Sequence, residues 1–192
     1  MASADPQFSS PLPAGLAGSH SGGLALEDRS ACRKWRFVGE PQAVALGRAD
    51  AEGERIAFSV SPGEWIVIDA PDTPSVAVPP PATPIGIRVV DITHLRATLR
   101  ITGNRTRNTL ARLCSLDFTE QMFPSGAAAR TLVAKVATEV VRLDQHGQRS
   151  YLLLTSRSFG RYLYDAVVDS MATAVLGADG LADSGAEPPS SA

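Results

Sequence analysis

The chain has 192 residues, of which 44% are hydrophobic and 20% are charged, and its formal net charge is −2. These values exclude a wholly disordered chain, a collagen-like chain and a coiled-coil rod, and they allow one domain or two small ones. No stretch approaches the ~20 consecutive apolar residues that a membrane helix needs. The first basic residue is Arg29, so we expect no secretory signal with a charged start, and we expect a cytoplasmic location.

Proline, glycine and serine divide the chain into five predicted regions. Residues 1–29 and 177–192 combine these residue types with few large apolar groups, so we expect both ends to be disordered. Residues 70–84 contain six prolines and are predicted to form an extended linker. Between these regions we predict a small hairpin-containing region over 30–69 and the main domain over 85–176.

The small region contains a predicted β-hairpin. Residues 56–60 alternate with period two, Pro62 and Gly63 supply a turn, and residues 65–68 are apolar. A lone hairpin is only marginally stable in water, so this one must pack on another element. Trp65 is the expected anchor because its side chain can bury a large apolar area.

The main domain shows strand and helix patterns in a mixed order. Strands are predicted over 85–90, 97–101, 129–136, 138–144 and 150–155, and helices over 104–114 and from 159 onward. We therefore predict an α+β fold, in which the helices share one face of a mostly antiparallel sheet. The apolar stripe of the final helix is predicted to bury Phe159, Tyr162, Leu163, Val167 and Met171.

The sequence offers few candidates for catalysis. It has no dinucleotide-binding or Walker motif, and its three histidines and two cysteines lack the spacing of a metal site. His94 and Asp91 could form a base and its orienting group, or Asp91 and Thr93 could satisfy backbone donors where the chain turns. Cys114 could be a nucleophile activated by Arg112, or a small residue of the core. We favour the structural interpretation of both.

Residues 85–161 carry an excess of positive charge, with twelve Lys or Arg against five Asp or Glu. Three of the cations lie on the predicted helix 104–114: Arg105, Arg107 and Arg112. Asn104 is placed at the start of that helix, where an anion or RNA could bind. RNA surfaces interleave exposed aromatic residues with basic ones, whereas the aromatic residues of the final helix are predicted to be buried. We therefore favour a solvated basic face or a face that docks on an acidic partner.

An ordered series of short motifs runs through the chain: SPGEWIV at 61–67, VDITHLRATLRITG at 90–103, LARLCSLD at 110–117, FPSGA at 123–127, RT at 130–131 and SRSFGRYL at 156–163. This series resembles the gamma subunit of heterotetrameric sarcosine oxidase. It is similar, more distantly, to folate-binding aminomethyltransferase domains such as the glycine-cleavage T-protein. The resemblance implies an aminomethyltransferase-like, folate-binding-domain-like arrangement of the α+β fold.

The resemblance also implies a function and partners. Such complexes contain alpha, beta, gamma and delta subunits and oxidatively demethylate sarcosine to glycine. They release hydrogen peroxide, and the methyl carbon leaves as 5,10-methylenetetrahydrofolate or formaldehyde. FAD, FMN, NAD, zinc and tetrahydrofolate are implied on the other subunits, and the gamma subunit docks mainly on alpha. No catalytic, cofactor-binding or metal-binding residue is thereby assigned to this chain, and we expect neither nucleic acid nor membrane as a partner.

Several functions remain as hypotheses. The leading one is a non-catalytic gamma subunit of a sarcosine-oxidase-type complex. A gamma-type subunit of a complex that oxidises a related N-methyl amine is a close alternative. A stand-alone folate-binding or one-carbon-transfer protein is a second class, in which Asp91 would be a candidate ligand for an amine or a pterin. An RNA-binding module that uses the basic region is a third class.

Overall fold

The computed structural model describes residues 10–12, 18–21, 23–40, 42–53, 55–69 and 85–179, with the backbone alone at 18–21 and 174–179. The predicted linker over 70–84 and most of the predicted tail over 177–192 lie outside these residues. The described elements form two antiparallel sheets and two α-helices.

The first sheet has six strands in the order β1-β2-β8-β11-β10-β9. Its strands are β1 (Gly18–Ser21), β2 (Leu24–Asp28), β8 (Arg96–Gly103), β9 (Ala128–Val133), β10 (Val136–Arg142) and β11 (Ser150–Ser156). The helices α1 (Thr106–Ala111) and α2 (Gly160–Asp179) pack on its outer face. Leu163, Val167 and Met171 of α2 share a buried cluster with Leu99 and Leu153 of the sheet.

The second sheet has five strands in the order β4-β5-β6-β3-β7. Its strands are β3 (Lys34–Val38), β4 (Ala49–Glu52), β5 (Arg55–Ser61), β6 (Glu64–Ile68) and β7 (Arg88–Asp91). Phe58 and Ile66 of this sheet are buried in one cluster with Val141, Leu152 and Leu154 of the six-stranded sheet. The molecule therefore has three layers, which are the helices, the six-stranded sheet and the five-stranded sheet.

This architecture confirms the predicted α+β class, with both helices on one face of antiparallel structure. It is also consistent with the expected folate-binding-domain-like fold. The hairpin of β5 and β6 is present, and Gly63 adopts the positive φ of +66° that its turn requires. Trp65 is buried and stacks on Phe37, with ring centroids 5.1 Å apart. It anchors the hairpin as predicted.

The prediction of disorder over 1–29 is wrong for the part that the structure describes. Strand β2 pairs with β8, so that Leu26 lies opposite Ile101 at the centre of the sheet. Leu24 and Leu26 are both fully buried in the cluster under the helices. The local composition could not reveal this, because the apolar surface that stabilises β2 is supplied by residues more than seventy positions away.

The structure also differs from the predicted division into a region over 30–69 and a domain over 85–176. Strand β7 follows the predicted linker but joins the five-stranded sheet, where Asp91 lies opposite Trp35. Strand β2 precedes the small region but belongs to the six-stranded sheet. The two sheets bury their facing sides against each other. The hairpin-containing region is therefore one layer of a shared core.

The first predicted helix is shorter than expected, over 106–111 and not 104–114, because β8 extends further than its pattern indicated. The extension depends on Gly103, which has a φ of +129° and lies opposite Leu24. A Cβ atom at Gly103 would collide with the carbonyl of Gly23. Glycine thus permits β2 and β8 to remain paired up to the last residue of the strand.

Candidate functional site

The predicted pair of His94 and Asp91 lies where the chain leaves β7. The Asp91 carboxylate accepts the backbone N–H of Thr93 at 2.8 Å, and the Thr93 hydroxyl oxygen accepts the backbone N–H of Lys34 at 2.9 Å. His94 is exposed on a short 3-10 turn over Thr93–Leu95. Asp91 therefore holds the turn that follows β7, and Thr93 ties this turn to β3. This confirms the structural interpretation that we favoured.

The two cysteines are buried and not bonded to each other. Cys114 lies in the cluster under the helices, and its sulfur accepts the backbone N–H of Leu116 at 3.3 Å. It is the small core residue that we favoured. Cys32 lies between the sheets, where burial raises the pKa of its thiol. A buried thiol held in its protonated form is a poor nucleophile.

Lys34 is a buried charged group that the sequence analysis did not identify. Its Nζ atom donates hydrogen bonds to the carbonyl oxygens of Ser30 and Cys32, at 2.8 Å and 2.6 Å. Burial lowers the pKa of this ammonium group to about 8. Because the group is enclosed and both acceptors are backbone atoms, it braces the corner between β2 and β3. Nothing in the alternation of β3 distinguishes this lysine from an exposed one.

Arg142 organises a second buried cluster. It is the last residue of β10, and its side chain lies on the face of the sheet that packs against the helices. Its guanidinium donates to the Phe123 carbonyl at 2.8 Å and to both Asp144 oxygens, and it forms an ion pair with Glu120 at 2.8 Å. The hydrogen bond to Asp144 holds the pKa of Arg142 above its ordinary value. Tyr151 lies under the guanidinium at 5.9 Å. These contacts fasten the loop that contains the FPSGA motif.

A charged cleft opens between the two sheets beside the middle of β10. Glu139 forms its floor with a side chain only 3% exposed, and Arg96 donates to one of its oxygens at 2.7 Å. Arg130 reaches the same oxygen at 3.8 Å, while the second oxygen has no hydrogen-bond partner among the described residues. Arg36 and Glu64 pair with each other across the mouth.

The cleft is small. Its volume is about 110 Å³, and its apolar wall includes Phe58 and Ile66. Organic ligands and cofactors usually occupy pockets of ~300–1,000 Å³, so the cleft suits a few water molecules or one polar side chain. The dimensions of this cleft do not suit a folate.

The basic region has the exposed arginines that were predicted, and it also has exposed aromatic residues that were not. Arg107 is exposed on α1, Arg112 is exposed just after its end, and Arg105 is half-buried just before its start. The prediction that Phe159 and Tyr162 are buried is wrong, because their exposed fractions are 49% and 51%. A 3-10 turn over Arg157–Phe159 precedes α2 and rotates its buried stripe toward Leu163, Tyr164 and Val167. The predicted burial of these aromatic residues was an argument against an RNA partner, and that argument no longer holds.

No group of three or more His, Cys, Asp or Glu residues in the described ranges could hold a metal ion. No helix in them is both long and apolar enough to cross a membrane.

Comparison with known proteins gives one clear result. No protein-family model matches the chain, and no curated protein matches it. Among solved structures, it is similar to a chain of the heterotetrameric sarcosine oxidase from Corynebacterium sp. U-96, solved in complex with pyrrole 2-carboxylate. The sequences are 16% identical, the TM-score is 0.66, and the match covers 83% of this chain and 89% of that chain. This protein therefore has, over most of its length, the fold of a chain in a heterotetrameric sarcosine oxidase.

Proposed function

We propose that this protein is the non-catalytic, gamma-type subunit of a cytoplasmic sarcosine-oxidase-type complex. The observation that carries the proposal is the fold match, which covers most of both chains. The matched chain is therefore similar in length to this one and is not a domain within a much larger subunit. The motif series from 61 to 163 supports the same subunit independently, because it was identified from the sequence.

The described residues support a structural role in that complex. Asp91 and Thr93 bind backbone groups, Cys114 is part of the core, and Arg142 fastens a loop. Asp91, Thr93 and Arg142 thus have structural partners, whereas one oxygen of the buried Glu139 has no hydrogen-bond partner among the described residues. In this proposal the oxidation of the N-methyl amine and the binding of FAD, FMN, NAD, zinc and tetrahydrofolate belong to the alpha, beta and delta subunits.

The proposal is tested by affinity purification of the tagged full-length chain from its own cells at moderate salt. We expect three further chains to be recovered in fixed stoichiometry, together with the visible absorbance of bound flavin. Oxidation of sarcosine by the recovered material, with release of hydrogen peroxide, identifies the reaction, and parallel assays with other N-methyl amines identify the preferred substrate. A colourless chain that is recovered alone contradicts the proposal.

The same preparation also tests the alternative hypothesis of a stand-alone folate-binding protein. If the chain is recovered alone, calorimetric titration with tetrahydrofolate tests whether it binds folate by itself. We expect no heat of binding at high micromolar folate, because the cleft between the sheets is too small for this ligand. Saturable binding to the isolated chain would instead favour a stand-alone one-carbon-transfer protein.

A further inference from the structure

Strand β9 forms one edge of the six-stranded sheet and pairs with β10 alone. At its start, the backbone N–H of Ala128 donates to the Gly47 carbonyl at 2.9 Å. Just after its end, the N–H of Ala134 donates to the Leu113 carbonyl at 2.7 Å. Between these two contacts, no described strand pairs with the outer side of β9. An unpaired edge of this kind presents backbone donors and acceptors that another strand can use.

This edge carries one large exposed apolar side chain, Leu132, where a solvated edge strand usually carries polar or charged groups. Leu132 is 59% exposed, although it shares a face of β9 with the buried Ala128. The five-stranded sheet covers that face at Ala128 and leaves it uncovered at Leu132. Ser115, Thr131 and Leu132 line an open groove of about 410 Å³ along the edge. The groove is wide enough for the side chains of an extended segment.

A second open groove of about 400 Å³ adjoins the end of β9, between Leu113, Ala134 and Tyr162. The turn between β9 and β10 consists of Ala134 and Lys135, whose φ angles are +49° and +68°. A turn with two positive φ angles favours Asn-Gly, so these two residues are strained in this conformation. The Tyr162 hydroxyl donates to the Ala134 carbonyl at 3.1 Å and helps to hold the turn. Strain maintained by neighbouring contacts is common at functional surfaces.

The rim of the two grooves is positively charged. Arg112 and Lys135 are exposed, and neither forms an ion pair with a carboxylate of the described residues. Arg130 is exposed at the first groove, and only the buried Glu139 lies near its guanidinium. Asp169, in the second groove, is an acidic residue of the same surface. Charge complementarity therefore favours an acidic occupant.

We propose that this edge surface, formed by Leu132, Tyr162, Arg112, Arg130 and Lys135, is the docking site for an extended, acidic segment of another subunit. The segment adds a strand to β9, places an apolar side chain against Leu132 and directs acidic side chains toward the three cations. The inference rests on the proposed function, since it names the surface through which the chain joins its complex. A protein strand is favoured over RNA because the edge offers backbone pairing and the Tyr162 hydroxyl is already bound to the turn.

The test compares full-length variants in the affinity purification described above. We expect Leu132→Asp to lower the recovery of the partner chains by about tenfold or more, as a residue at the centre of an interface does. Lys135→Glu is a second variant, at an exposed position. It should lower the recovery of the partner chains, and recovery should fall less steeply with added salt than it does for the wild type. Leu132→Met and Val90→Asp are the controls and should recover the partners as well as the wild type does. Val90 is 48% exposed on β7, an edge strand of the other sheet.

Amide hydrogen exchange gives a readout that is specific for strand addition. In the recovered complex, the amides of Arg130 and Leu132, which point away from β10, should exchange more slowly than in the isolated chain, while those of edge strand β4 should not change. The docking proposal is overturned if Leu132→Asp retains its partners, if Val90→Asp loses them equally, or if β9 gains no protection. Recovery of nucleic acid that is released by salt also overturns it. If the wild-type chain recovers no partner, the proposed function itself fails and this surface with it.

Discussion

Glu139 and Arg142 lie three residues apart on β10, on opposite faces of the six-stranded sheet, and both side chains are almost fully buried. Arg142 is saturated by a carbonyl and two carboxylates. Glu139 has two arginines at one oxygen and none at the other. A saturated buried charge stabilises one arrangement of the loops around it. A half-satisfied one contributes less and leaves hydrogen-bonding capacity for water or a partner.

Removal of Arg142 is expected to have the largest effect. Arg142→Met should lower the free energy of unfolding by about 3 kcal/mol, because it leaves the Phe123 carbonyl without a partner and releases the loop that holds the FPSGA motif. Urea denaturation of the purified chain measures this loss. Arg149→Met is the matched control, since Arg149 reaches the same Glu120 only at 4.0 Å and is more exposed. It should cost less than about 0.5 kcal/mol, and an equal loss in both variants would contradict the assignment.

Lys34 extends the comparison to a buried charge that has only carbonyl partners. Its pKa is about 8 in the folded chain and 10.5 ordinarily, so the unfolded chain binds more protons between these values. The penalty for burying the charge is therefore complete below pH 8 and is relieved as the pH rises toward 10.5. Relative to Lys34→Met, the wild type should gain about 2.5 kcal/mol of stability between pH 7 and pH 10.

The comparison with Lys34→Met is needed because other groups titrate in the same range. Burial raises the pKa values of Cys32 and Tyr151, so both groups lower the stability of the folded chain as the pH rises. The difference between wild type and variant, measured by urea denaturation at each pH, removes the Tyr151 contribution. Because the charge of Lys34 also acts on the pKa of Cys32, both proteins carry Cys32→Ala in this measurement. A difference that does not change with pH would show that the Lys34 ammonium is not desolvated in the folded protein.

Neutralisation of Glu139 should have the smallest effect. Glu139→Gln retains an oxygen that can accept from Arg96, and it removes a charge that is only half compensated, so we expect a loss of about 1 kcal/mol. Thermal or urea denaturation of Glu139→Gln and Arg142→Met under the same conditions compares their losses of stability directly. If Glu139→Gln destabilised the chain as strongly as Arg142→Met, the charge of Glu139 would have to be as fully compensated in the folded chain as the charge of Arg142.

Local patterns predicted the elements whose partners are close in the sequence. The hairpin around Pro62 and Gly63 and the strand pair β10–β11 belong to this group. The turn at Asp91 and Thr93 was predicted for the same reason, because such side chains bind backbone groups two residues away.

The remaining features depend on distant residues. Strand β2 is stabilised by β8, and the phase of α2 is set by the 3-10 turn that precedes it. The burial of Lys34 follows from carbonyls that turn inward at the corner after β2. The cleft at Glu139 draws its walls from both sheets. No local periodicity contains this information, because tertiary packing decides each of these outcomes.

The exchange of strands between the sheets has a consequence for synthesis. Strand β2 can pair with β1 early, but its other edge has no partner until β8 has been synthesised up to Gly103. The five-stranded sheet is likewise incomplete until Asp91 has been added and β7 can pair with β3. A nascent chain that has emerged as far as β6 therefore holds two unfinished sheets and no closed core. Pairings so far apart in sequence close slowly and leave unpaired edges exposed meanwhile. A ribosome-bound chain cut short before β8 should be a substrate for chaperones and proteases, whereas the full-length chain should resist them.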